Sequence, residues 1–194
     1  HDIGRFEQIK RFHSFEPGTM DHAMYGADIL FGPEQMIRRF VKDSSFDQLI
    51  CVAIAKHSDF KLEGIEDKRT LLHARLIRDA DKLDNCRVKL EESMETLLDM
   101  DEKTVGASPI SPKVWESCKA EKSVLSADRK TGMDYWMSYL ALYFDINFLE
   151  TYQIIKEQDY IRRIAERVPY SREDTKEKVA YTVKKLEEKM NIQP

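Results

Sequence analysis

The stretch Met133-Asp-Tyr-Trp-Met-Ser-Tyr-Leu-Ala-Leu-Tyr-Phe-Asp-Ile-Asn-Phe148 decides the fold class. Met133, Trp136, Met137, Leu140, Ala141, Phe144 and Phe148 recur mostly at steps of three and four, the repeat that gathers side chains on one face of an α-helix. Tyr135, Tyr139 and Leu142 widen that face beyond a narrow seam. So broad an apolar surface belongs inside a domain, and the segment reads as core, not as a ligand box.

The same repeat continues on both sides. Phe46, Leu49, Ile50, Ala53, Ile54 and His57 form one stripe, preceded by Ser45 and Gln48 in the spacing of a capping box. Leu72, Leu76, Ala80 and Leu83 form another, in a helix expected from about Asp67 to Leu98 with a break along it. Residues 99–110, with Gly106 and Pro109, read as a loop. Ser111 and Pro112 then supply a cap and a first-turn proline. Pro169 closes the helix that follows the core segment, and Ser171 with Asp174 opens the last one. There Val179, Val183, Leu186 and Met190 make a narrow stripe that is expected to pack on its own domain, a homodimer contact being the alternative. No alternating strand pattern, internal repeat or low-complexity tract is present. The expectation is an all-α fold: an N-terminal core over 1–98, a loop over 99–110 and a C-terminal helical extension over 111–194, packed on the core.

Composition narrows the function. Charged residues make up 34% of the 194 positions yet balance to a net charge of −4, which argues against a nucleic-acid polymer as partner, since that needs a positive surface. A small anionic substrate stays compatible, because a bound cation reverses the local field. Glycine (7) and proline (6) are too few for a turn-rich β architecture. Cys51, Cys86 and Cys118 are odd in number and show no Cys-x-x-Cys spacing, so free thiols in a reducing cytoplasm are expected. No apolar run approaches the roughly 18 residues of a membrane span, and no signal peptide is visible, so no membrane association is expected.

Four segments carry residues suited to chemistry: His1-Asp2-Ile3-Gly4-Arg5, Asp21-His22-Ala23, Ala53-Ile54-Ala55-Lys56-His57, and Asp79-Ala80-Asp81-Lys82-Leu83-Asp84-Asn85. Each has a plain structural reading. His57 could be a core histidine bonded to a backbone carbonyl, His22 a helix cap, Asp81 the partner of a buried arginine such as Arg5 or Arg78, and Asn85 a helix end. His13 and His73 read as surface residues.

Taken together, the four segments resemble the HD superfamily of metal-dependent phosphohydrolases, whose pattern is a histidine, a His-Asp doublet and a distant aspartate. His1-Asp2 matches the doublet and Asp81 the distant aspartate, and Ile3-Gly4-Arg5 is similar to the Ile-Gly-Lys of members related to cyclic-dinucleotide phosphodiesterases. The resemblance implies an HD-domain helical bundle over roughly residues 1–90. It also implies one or two divalent ions of the manganese, iron, nickel or magnesium group. His1, Asp2 and Asp81 would be ligands, His22 and His57 would hold a second metal or the substrate phosphate, and Asn85 would support them. Asp2, Arg5 and Lys82 would act on a small phosphorylated substrate, a phosphomonoester, phosphodiester or pyrophosphate. The family's first histidine precedes the doublet, and the chain begins at His1 where a natural start would carry Met, so a missing upstream helix is expected. Alarmone hydrolases and some nucleotidases carry a glutamate shortly after the doublet, where this chain has Arg5. The alternative is a non-catalytic HD module that binds a metal or a nucleotide and signals.

Overall fold

The structure, a computed structural model, describes residues 1–15 and 18–192. Among them it contains eleven α-helices, short 3-10 turns and no strand. The all-α expectation is met. The chain divides into two compact units, His1–Arg78 and Asp79–Pro194. No helix among the described residues is long and apolar enough to cross a membrane.

The first unit holds α1 (Gly4–Phe12), α2 (His22–Phe31), α3 (Asp47–Ala55) and the opening turns of α4 (Lys68–Glu91). Ala27, Leu30, Ile37 and Ile54 form its core, with Ile3, Ile50, Cys51 and Ile77 packed around them. The start of α3 departs from the sequence reading. Asp43, not Ser45, is the cap: its carboxylate accepts the Ser45 N–H and opens a 3-10 turn over Ser44–Phe46 that leads into α3. A carboxylate is the stronger acceptor for the unpaired N–H groups at a helix start.

Helix α1 is unusual in what it buries. Only Gly4 and Gln8 are enclosed, whereas Phe6 is 79% exposed and Phe12 and Phe15 are also exposed. Gly4 lies against the backbone of α2, where an added Cβ would come within 2.0 Å of the His22 carbonyl oxygen and 2.9 Å of the Gly26 nitrogen. The helix meets its neighbour through its smallest residue, and the two backbones approach closely.

Along α4 the expected stripe of Leu72, Leu76 and Ala80 faces outward, with Leu72 51% and Leu76 54% exposed. In the part of α4 that belongs to the first unit, the buried positions are Thr70, Ala74 and Arg78, four residues apart. A long cation is enclosed there because backbone carbonyls receive it, a compensation that hydropathy cannot register. Leu76→Ala is therefore expected to change unfolding free energy by less than about 0.5 kcal/mol. Ile54→Ala should cost about 2–5 kcal/mol. Urea denaturation of the two variants checks the contrast, and an equal loss for both would restore Leu76 to the core.

The second unit contains the rest of α4, then α5 (Met94–Leu98), α6 (Glu102–Ala107), α7 (Pro112–Lys119), α8 (Gly132–Ala141), α9 (Leu149–Glu157), α10 (Tyr160–Glu166) and α11 (Glu173–Ile192). The break expected before Leu98 falls at Ser93, which caps α5. Residues 99–110 are not one loop, because α6 lies within them. Asp101 caps it by accepting the Thr104 N–H, and Gly106 serves close packing: a Cβ there would meet the Pro169 carbonyl oxygen at 2.3 Å. Met133, Trp136, Met137, Leu140 and Ala141 on α8 are fully enclosed and centre this unit's core, as the opening stretch predicts. Ser111 occupies the cap position of α7, but its hydroxyl donates to the buried Asp134 carboxylate, which also accepts the backbone N–H groups of Ser111, Lys130 and Thr131. Val179 and Leu186 of α11 are buried in the same core.

Candidate metal centre

Three helix ends bring the site's side chains together in the first unit. His1 and Asp2 lie just before α1. His22 is the first residue of α2, whose cap is Asp21, accepting from Ala23 N–H and Met24 N–H. His57 follows Lys56, the residue that ends α3. The Gly4 contact with the His22 backbone sets the doublet beside α2, and the Ala27, Leu30 and Ile54 core sets α3 beside α2.

The result is a cluster around Asp2. Its Oδ1 lies 3.3 Å from His57 Nε2 and 3.4 Å from His22 Nε2, and its Oδ2 lies 3.5 Å from His1 Nε2 and 3.1 Å from Arg5 Nε. The Nε2 atoms of His22 and His57 are 3.2 Å apart. The His57 ring stands edge-on to both His1 and His22, with centroids 4.7 and 5.1 Å away. Donor atoms of His1, Asp2 and His57 all fall within 4.8 Å of one another, a spacing that a single metal ion can span.

The protonation pattern follows from the partners. His57 Nδ1 lies 2.7 Å from the Ile54 carbonyl oxygen. A carbonyl only accepts, so Nδ1 carries a proton, and in the singly protonated ring the lone pair is on Nε2, toward Asp2 and His22. This is the second partner that metal-binding histidines characteristically have. Asp2 Oδ1 is buried and makes no hydrogen bond of acceptable geometry, which is costly for a carboxylate unless a cation or proton compensates. Burial alone would raise the Asp2 pKa. The His57 imidazole against it and the charges of Arg5 and His1 outweigh that effect and hold it well below the usual carboxylate range. Burial above all, then Arg5 and His57, push the His22 imidazole down to about 4, against the opposing influence of Asp2 and Asp21. A carboxylate and imidazoles at this spacing form a donor set that a divalent cation could use.

The His22 shift has a consequence for stability. The unfolded imidazole titrates near 6.5 and the folded one near 4, so between those values the unfolded chain holds more protons. Stability is full above about 6.5 and falls as pH drops toward 4, by on the order of 2–3 kcal/mol. Urea midpoints of the metal-stripped chain from pH 7 to 4.5 should show this slope, and His22→Asn should flatten it. Parallel curves for both proteins would remove His22 as the cause.

The other sequence candidates stand as follows. Arg5 is at the cluster, paired with Asp2, with its guanidinium 5.7 Å from the Phe15 ring centre. Asp81, Lys82 and Asn85 are on α4 in the second unit. The Lys82 ammonium donates to the Asp145 carboxylate at 2.8 Å and to the Asp145 carbonyl. The Asn85 amide folds back to donate to the Asp81 backbone carbonyl at 3.0 Å, which gives it a local role on its own helix. The acid most enclosed on this part of α4 is Asp79, which the sequence did not single out; it accepts from the backbone N–H groups of Asn147 and Phe148 at the start of α9 and from the Asn147 amide. His13 is exposed, in left-handed conformation at the end of α1, and His73 is half-buried. The three cysteines are free, with burial raising the thiols of Cys86 and Cys118 to about 11.

Comparison of the chain with protein-family models, curated proteins and solved structures finds no match.

Proposed function

We propose that the chain binds a divalent cation through His1, Asp2 and His57, with His22 beside them, and hydrolyses a phosphate ester there. The observation that carries this reading is Asp2 Oδ1, a buried carboxylate oxygen without a hydrogen bond, facing two imidazole nitrogens. The chemistry such a cation supplies is polarisation of a phosphoryl oxygen and acidification of water. Asp2 contributes the negative charge of the donor set. His22, whose imidazole titrates near 4, contributes a lone pair without needing to lose a proton at neutral pH. Arg5, partly exposed and paired with Asp2, would meet an incoming anionic oxygen, as guanidinium groups do at phosphate sites. Asp81 enters the proposal from the sequence resemblance alone.

The test is hydrolysis by the metal-stripped chain of a panel of phosphomonoesters, phosphodiesters and pyrophosphates, with manganese, magnesium, iron or nickel added in turn. Turnover is expected only with metal. Metal binding without turnover on any ester would leave the site as a metal-binding module and remove the hydrolase proposal.

A further inference from the structure

We infer that Arg78 is a positioning residue for the metal centre, fixing His57 with its proton on Nδ1 and its Nε2 turned toward Asp2 and His22. The consequence for metal binding rests on the proposal above; the geometry does not.

His57 lies beyond the last residue of α3, so helical hydrogen bonding does not by itself set its orientation. Two contacts do. The ring is tied to the end of α3 by Nδ1–H donating to the Ile54 carbonyl at 2.7 Å. The backbone is tied by the buried Arg78, whose Nη1 donates to the His57 carbonyl at 3.1 Å and to the Asp59 carbonyl. The turn between them is closed by Asp59 N–H donating to the Lys56 carbonyl and by the ion pair of Lys56 with Asp59. Arg78 thus clamps from outside the segment that carries the ligand, and places a positive charge where the end of α3 is electronegative. The planar guanidinium can serve two carbonyls at once, which an ammonium does less well.

Without Arg78 the two carbonyls would lose their partner, and the turn over 56–59 would have to open to water to satisfy them. The His57 ring would then leave the Ile54 carbonyl. The Ile54 carbonyl is what fixes the proton on Nδ1, so without it the ring would populate the Nε2–H tautomer, whose Nε2 offers no lone pair to a metal. Residues that orient a ligand in this way change metal affinity by about 10–100-fold when removed.

The test reads the tautomer directly. Long-range proton–nitrogen correlation spectra of the ¹⁵N-labelled, metal-stripped chain should show His57 protonated at Nδ1 and unprotonated at Nε2. Arg78→Met should mix the tautomers and weaken manganese binding by about 10–100-fold, and Arg78→Lys should restore both in part. A purely structural arginine would instead lower thermal stability with the wild-type His57 signature and manganese affinity kept, and that result would overturn the inference. Should Arg78→Met fail to fold, Arg78→Lys decides alone: wild-type values in both readouts overturn the inference. A wild-type chain with His57 protonated at Nδ1 that binds no metal would sink the metal proposal while leaving the positioning role; His57 protonated at Nε2 in the wild type would sink the positioning role itself.

Discussion

Asp2→Asn is expected to cut manganese or nickel affinity by about 100-fold or more and to leave the chain folded. Removing an outer partner of a metal ligand costs about 10–100-fold, and Asp2 is here the ligand itself and the cluster's source of negative charge. The carboxamide keeps the shape and loses the charge. With its Nδ2 in the place of Oδ1 and its oxygen kept toward Arg5 and His1, the amide can donate to the His57 Nε2 lone pair, so a carboxylate oxygen that now lacks a hydrogen bond is replaced by a group that can be satisfied without a cation. The metal-stripped variant should therefore be no less stable than the metal-stripped wild type, and metal should raise the melting temperature of the wild type alone. Calorimetric titration with each cation, paired with thermal unfolding, separates the two effects. Equal affinity in both proteins would mean that Asp2 is not a ligand.

Gly4→Ala should be more damaging to the fold than its chemistry suggests, costing more than about 4 kcal/mol. The added Cβ would meet the His22 carbonyl oxygen at 2.0 Å and the Gly26 nitrogen at 2.9 Å. Both are backbone atoms, so no side chain can rotate away, and α1 has to move off α2. The displacement carries His1 and Asp2 from His22, so metal binding should fall with stability. Gly26→Ala is the control. Its Cβ would meet Ile3 Cγ2, Gly4 N and His1 O, each at 3.3 Å, a tight fit that neighbours can relieve for about 1–2 kcal/mol. Urea denaturation of the two variants measures the difference. A Gly4→Ala chain as stable as Gly26→Ala would show that the α1–α2 contact is looser than described.

The sequence reveals the core of the second unit because burial there is apolar and periodic: the α8 face from Met133 to Ala141 is enclosed as its spacing requires. It fails on α4, where Leu72 and Leu76 follow the period but face outward and Arg78 is buried. Hydropathy ranks side chains by their cost in water, and it cannot see the carbonyls of His57 and Asp59 that lower that cost for a guanidinium. In the candidate site, the convergence of His1, Asp2, His22 and His57 was legible as an ordered set of residue types. The means of convergence was not, because it depends on the missing side chain of Gly4 and on a backbone carbonyl, that of Ile54. The plain reading of His57 as a histidine bonded to a carbonyl is correct for Nδ1 and complements the metal reading, since that bond leaves Nε2 able to accept. Nor could the sequence show that Lys82, a cation inside the fourth segment, is engaged by Asp145.

The central claim is that imidazole nitrogens and the Asp2 carboxylate jointly hold one cation. Electron spin-echo spectroscopy of the chain loaded with one equivalent of manganese tests it most directly, because nitrogen bound to the ion modulates the echo. The account predicts ¹⁴N modulation in the wild type that weakens in His57→Ala and disappears, together with tight binding, in Asp2→Asn. A manganese signal with modulation from water protons alone, unchanged by either substitution, would contradict it.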